Sequence, residues 1–233
     1  MPENDSLEKL EERVGINFKN LDILRQAMVH RSYLNEHPDF HLGHNERLEF
    51  LGDAVLELSV TKFLYDNYPN PEGELTNWRA ALVNSHMLAT VARELEIEEF
   101  LYLSRGEQKD KDSKARQYIL ANAMEALIGA VYLDAGWDTA DIFVNKVILA
   151  KLPSILELKL YLDPKSRFQE AAQEQFGITP TYKVVSETGP DHAKEFQVAV
   201  FVGDDEIAIG QGTSKQEAQI DAAKKALEEK GWC

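Results

Sequence analysis

Four acids, Glu46, Glu49, Asp53 and Glu57, fall within HNERLEFLGDAVLEL, a stretch that otherwise reads as helix. With Asn45 opening it, a step of about 100° per residue places Leu48, Leu51, Val55 and Leu58 on one side and all four acids on the other. The acid stripe then runs on into Val60 and Leu64, residues that a solvated face disfavours. The pattern predicts that the acidic face meets another part of the protein. Carboxylates gathered in a partly enclosed place repel one another and lose hydration, so something positive must sit among them. A divalent cation is the leading candidate.

A second stretch, ILANAMEALIGAVYL from Ile119 to Leu133, has Asn122 and Glu125 as its strongly polar side chains. A helix apolar on nearly all sides is buried. Residues three apart share a face, so Asn122 and Glu125 point the same way, and the carboxylate needs a partner from elsewhere. One such partner is a basic side chain of another helix, for example Arg47 or Arg79. The other is a metal shared with Glu46, Glu49 and Asp53. That ligand set is all oxygen, which selects magnesium or manganese over zinc and suits phosphoryl transfer.

Three other features read as structural. His37, His41 and His44 have a spacing that could suggest zinc, but a loop holding Pro38 and Gly43, in a chain whose one cysteine is Cys233, reads as solvated. Trp78 and Trp137 sit among apolar residues and read as core packing rather than base stacking. The run GEQKDKDSKAR mixes both signs and reads as a solvated connection.

The elements that position these residues divide the chain in two. From Leu7 to about Leu160 apolar residues recur at three and four, with short breaks such as NYPNPEG. Near Asp163 the character changes. Asp163-Pro164 starts a helix whose apolar face is Phe168, Ala171, Ala172 and Phe176 and which Gly177 ends. Strand-like runs TYKVVS, EFQVAVFV and EIAIGQG follow. Ser214-Lys215-Gln216-Glu217 is a capping box that opens a final helix, with Ala218, Ala222, Ala223, Ala226 and Leu227 as its slim apolar face. The fold class expected is a multidomain chain: an all-α part over residues 1–160, then an α-β-β-β-α part over residues 161–233.

Composition sets outer bounds. A chain of 233 residues has room for a proper core in one or two domains. The net charge of -15 argues against a passive nucleic-acid coat, so an RNA-binding surface would need locally placed lysines or divalent ions. The N-terminus lacks a basic start and an apolar run, and no stretch of 18 apolar residues occurs, so a cytoplasmic protein without membrane contact is expected. The lone cysteine fits reducing surroundings.

NERLEFLGDAVL resembles the signature of the ribonuclease III family. HRSY at His30 to Tyr33, LTNWRAALVNS at Leu75 to Ser85, LSRGE at Leu103 to Glu107 and NAMEALIGAVYLD at Asn122 to Asp134 are similar to its other blocks, in the same order. The C-terminal part resembles a double-stranded-RNA-binding domain. The resemblance implies a homodimeric, magnesium-dependent endoribonuclease, with manganese able to substitute and no small-molecule cofactor. It implies cleavage of both strands of double-stranded RNA, as in the processing of rRNA and other structured precursors, leaving 5'-phosphate and 3'-hydroxyl ends. By the same resemblance Glu49, Asn122 and Glu125 hold the metal, and Asp53 serves the attacking water. Glu46 is the outer carboxylate and Glu72 an accessory acid, while Phe50, Leu51 and their neighbours meet the two-fold mate. Ser166, Gln169 and Glu170 face one minor groove and His192 a second, and Ser214 and Lys215 hold phosphates between them.

Two positions depart from the family pattern, which carries Asp at Asn122 and commonly Lys at Gln216. From Asp163 onward 8 Lys and Arg face 13 Asp and Glu, so modest, salt-dependent RNA affinity is expected. Two rivals are a protein of this fold that binds double-stranded RNA or ribosomes without chemistry, and a helical phosphohydrolase of small nucleotides. The presence of Glu46, Glu49, Asp53 and Glu125 argues against the first and the C-terminal module against the second.

Overall fold

A computed structural model describes residues 4–110, 113–190 and 194–232. The chain forms two compact units, Met1–Glu157 and Leu158–Cys233. The first unit is helical: α1 Asn4–Val14, α2 Leu21–Ala27, α3 Arg31–Glu36, α4 Glu46–Asn67 and α5 Glu72–Val83 are followed by α6 Ser85–Glu94 and a 3-10 turn at Ile97–Phe100. Then come α7 Arg105–Lys109, α8 Lys114–Ala135, α9 Trp137–Val147 and α10 Leu152–Glu157.

Helix α8 is the axis of this unit, and α4, α6, α2 and α9 pack around it. From Ile119 to Val131 every side chain on α8 is buried except those of Asn122 and Glu125, which are half-buried. Its length and apolar composition would suit a membrane span, but most of it is enclosed by its own unit, so its hydrophobicity is satisfied by the core. Ser113 caps α8 through the Arg116 N–H, and Asp134 at its far end accepts from the Lys19 and Asn20 N–H groups, both at 2.9 Å, tying down the start of α2.

Helix α4 begins at Glu46, with Asn45 as its flanking residue, but the Asn45 side chain does not cap it. Its amide donates to the Ala27 carbonyl at 3.2 Å instead, anchoring α4 to α2. The buried side of α4 also differs from the stripe that periodicity predicts. Leu48 and Val55 are buried as expected, joined by Gly52, Leu56, Ser59, Val60 and Leu64, whereas Leu58 is exposed. The physical reason is that α4 meets α8 through Leu48 and Gly52, beside the acids, and the core reaches round to Val60 and Leu64 on the acids' own stripe.

The mixed-charge run after Gly106 is not simply solvated. Arg116 is buried and donates to the carbonyls of Glu107 at 2.7 Å and Asp110 at 3.1 Å, with Glu98 beside it at 3.3 Å. A buried guanidinium thus ties Glu107 and Asp110 to the start of α8. Trp78 is buried against Tyr68, and Trp137 is half-buried.

The second unit runs α11 Pro164–Phe176, β1 Thr181–Thr188, β2 Glu195–Val202, β3 Asp205–Gly212 and α12 Lys215–Lys230. Its sheet is antiparallel in the order β1-β2-β3. Asp163 caps α11, with Pro164 at the first position and Gly177 closing the helix. Ala222, Ala223, Ala226 and Leu227 of α12 pack with Phe168 and Ala172 of α11 against Val200 and Val202. Phe176, expected on that apolar face, is more than half exposed, with its ring against Trp232.

Candidate active site and RNA-binding face

Glu46, Glu49 and Asp53 lie on α4, Asn122 and Glu125 on α8, and two glycines decide how closely the helices approach. A methyl group at Gly52 would overlap the Glu125 carbonyl and stand 2.8 Å from the Gly129 nitrogen, and one at Gly129 would overlap the Leu48 carbonyl. Backbone therefore meets backbone between Glu49 and Asp53, and the side chains flanking the contact converge. Sequence reasoning missed both glycines. The signal was there: a glycine inside a long helix costs stability unless a close approach requires it.

The electrostatics record the convergence. Glu125 is pushed up to about 8, by burial first and then by the charges of Asp53 and Glu49. The Glu49 carboxyl is also raised, by burial and by Glu46 and Asp53, against the opposing pull of a hydrogen bond with Asn122. Among the described residues no basic side chain forms an ion pair with Glu125. Arg79, one of its possible partners, is committed to Glu57 and Thr61, each at 3.0 Å. An all-oxygen donor set in which neighbouring carboxylates raise Glu49 and Glu125 fits a hard divalent cation, because a cation there reverses the repulsion. Among the described residues no three His, Cys, Asp or Glu side chains stand close enough to enclose an ion as they are, as expected of like charges that repel.

Glu46 sits at the rim, 3.7 Å from Arg31 Nη1 and 3.7 Å from His44 Nδ1. Glu72 lies on α5 rather than on the two helices that carry the other acids. It is in the first turn of α5, accepts from Thr76 at 2.9 Å, and borders a cavity of about 670 Å3 with Tyr65, Tyr68 and Arg79. Glu57, the fourth acid of the stripe, is taken by Arg79. The three histidines do not converge: His37 lies against the Tyr33 ring, His41 is 3.9 Å from Asp22, and His44 flanks Glu46.

A different side of α4 presents Phe50, Leu58 and Tyr65 to solvent, with Phe50 82% exposed. Val60 and Leu64, which continue the acid stripe, are buried in the core of the helical unit.

In the second unit Ser166, Gln169 and Glu170 are exposed on α11 and share a face, with the Ser166 hydroxyl donating to Asp163 at 2.7 Å. His192 lies outside the described residues. Ser214 caps α12, accepting from the Glu217 N–H at 3.1 Å. Glu217 reaches back to Thr213, accepting from its N–H at 3.1 Å, one residue earlier than a standard capping box. Several lysines are already engaged. Lys165, Lys183 and Lys215 lie over the rings of Tyr182, Phe201 and Phe196, and Lys194 and Lys225 pair with Glu187 and Asp221.

Residues 20–152 match the family described as Ribonuclease-III-like, and residues 164–230 match the Double-stranded RNA binding motif. The chain is 43% identical to Ribonuclease 3 of Chloroflexus aurantiacus over 227 residues, covering 96% of this chain and 91% of that protein. The chain belongs to the ribonuclease III family. Ribonuclease 3 of Oceanobacillus iheyensis is 44% identical over 220 residues, 94% of this chain and 96% of that one. The nuclease domain of ribonuclease III from Campylobacter jejuni, described with a flexible region involved in dimer formation, superposes with a TM-score of 0.56. It is 37% identical and covers 63% of this chain and 99% of that one. This likeness spans the helical nuclease part, and the part matching the double-stranded RNA binding motif follows it in the chain. A full-length match to catalytic relatives does not favour the rival of a fold without chemistry.

Proposed function

We propose that this chain, a double-strand-specific endoribonuclease of the ribonuclease III family, cleaves through a magnesium site formed by Glu49, Asn122 and Glu125. Manganese, equally hard toward oxygen ligands, can substitute. When bound, the ion would lower the pKa of a water and offset charge on the scissile phosphate. Asp53 and Glu125 face the same space and would orient the attacking water. Glu46 is the outer carboxylate, and Glu72 assists from α5. Residues 1–160 are assigned the chemistry. Residues 161–233 hold the duplex through Ser166, Gln169, Glu170, His192, Ser214 and Lys215.

The observation that carries this reading is the meeting of α4 and α8 at Gly52 and Gly129, which sets Glu49 and Asp53 beside Asn122 and Glu125. Incubating the full chain with long duplex RNA, with and without magnesium, tests it. Short duplexes bearing 5'-phosphate and 3'-hydroxyl ends are expected only with the ion. Magnesium-independent cutting, or single-strand products, would contradict the assignment.

Asn122 supplies an amide oxygen where the family pattern has a carboxylate. The amide keeps the geometry and holds Glu49, but it adds no charge to attract a dication. Asn122→Asp is expected to lower the magnesium concentration at half-maximal rate severalfold without moving the cut positions. A titration curve that does not shift would remove Asn122 from the ligand set.

The exposed face of α4 is the proposed two-fold contact, giving one acid cluster per strand. Phe50→Asp is expected to turn a dimer into a monomer by light scattering at micromolar concentration, with paired cuts lost. A variant that stays dimeric would place the contact elsewhere.

A further inference from the structure

The acid cluster must receive a polyanion, and the chain itself has a net charge of -15. A strand approaching Glu49, Asp53 and Glu125 meets like charge, so basic side chains at the rim are needed to seat its phosphates. Among the described residues two stand within ion-pair reach of a cluster acid, Arg31 and His44, one on each oxygen of Glu46. The His44 Nδ1 also lies 3.4 Å from the Glu46 N–H, which ties that nitrogen to the backbone. Among the described residues Arg31 has no such tie. Its guanidinium is always charged, and its planar fork matches two phosphate oxygens, whereas at 3.7 Å it only approaches one oxygen of Glu46.

The backbone beneath Arg31 is fixed from both sides. The His30 N–H donates to the Tyr102 carbonyl at 3.1 Å, and His30 Nδ1 meets the Ser32 hydroxyl at 2.8 Å. That hydroxyl accepts from the Ser104 N–H at 3.1 Å, and Glu36 accepts from the Arg105 N–H. The blocks HRSY and LSRGE are thus bonded to each other, and together they hold an arginine whose side chain is 72% exposed. A pair this open to water stabilises the fold little and costs little to break.

Resting on the site assigned above, we propose that Arg31 is a substrate contact: its guanidinium exchanges Glu46 for a phosphate of the RNA strand entering the acid cluster. The exchange makes no covalent change. It frees Glu46 for its role at the rim and replaces one long ion pair with a two-point contact.

The test uses the full chain and a defined duplex RNA, with binding followed by fluorescence anisotropy in EDTA across a salt series and turnover followed in magnesium. Arg31→Ala is expected to weaken binding about tenfold at low salt and to reduce the slope of log affinity against log salt by about 1, with the loss in turnover falling on KM rather than kcat. Arg31→Lys keeps the charge without the fork, so the slope is restored and the affinity only in part. A pair that merely supported the fold would change thermal stability and leave the slope unmoved. Unchanged slope and KM in Arg31→Ala would overturn the proposal. A wild type that binds duplex RNA but never cuts it would refute the assigned chemistry instead, and the EDTA salt series would still decide Arg31.

Discussion

Glu125→Gln is expected to abolish turnover, leave duplex RNA binding intact and make the metal-free protein more stable at neutral pH. The three effects have one origin. Glu125 sits in an otherwise apolar helix, and burial with the charges of Asp53 and Glu49 lifts its carboxyl to about 8. A raised folded-state pKa means that the folded form holds the proton more tightly than the unfolded chain. Below the ordinary value of 4.5 both forms are protonated and nothing is lost. From there to about 8 the folded state is progressively penalised. At pH 7.5 the carboxylate therefore destabilises the metal-free nuclease unit. With allowance for its partial access to solvent the penalty is about 2 kcal/mol. Glutamine has the same shape without the charge, so a thermal midpoint about 5 °C higher in EDTA is expected, a gain that vanishes near pH 4.

Activity moves the other way. Removing the charge of the proposed metal ligand should cost on the order of 10³-fold or more in rate. Magnesium should raise the melting temperature of the wild type but not of the variant. Single-turnover cleavage, anisotropy and calorimetry read these effects separately. Near wild-type cutting by Glu125→Gln would remove the site. A lower midpoint in EDTA would show that the acids do not repel as argued.

Gly52→Ala has the largest expected effect on stability. The added methyl group meets the Glu125 carbonyl and the Gly129 amide, both main-chain groups of a buried helix that cannot rotate aside. Relief requires α4 and α8 to separate along their whole contact, which opens the core around Leu48, Val55 and Ala126. Such overpacking against rigid backbone is expected to cost about 3 kcal/mol or more, a fall in melting temperature of about 10 °C. The separation also pulls Glu49 and Asp53 away from Asn122 and Glu125, so cleavage should fall even in the fraction that remains folded. Gly73→Ala is the control. A methyl group there meets nothing, and in α5 it should be neutral or stabilise by about 0.5 kcal/mol. Equal midpoints for the two variants by circular dichroism would mean that the helices do not meet at Gly52.

Much of the architecture was legible because it is local. The caps at Asp163 and Ser214, the alternation in β2 and the three-and-four periodicity of the nuclease part act over a few residues, and each element formed where those signals lie. Arg116 shows the opposite case. In sequence it ends a mixed-charge run, yet carbonyls that the fold returns to it let it be buried.

By itself the sequence determined the chemical identity of the candidate site: four carboxylates and an amide, hard oxygen donors on helices that could not be wholly solvated. What the tertiary structure adds is the route by which the acids approach one another and the partners that draw others away. Glu57 goes to Arg79, Glu72 stays on α5, and Glu49, Asp53 and Glu125 meet across a glycine contact that no periodicity reports. Helical pattern follows from neighbours one turn away, which the chain order fixes. The raised pKa of Glu125 depends on how near other charges come and how little water reaches them, and both are set by groups more than seventy residues apart in the chain.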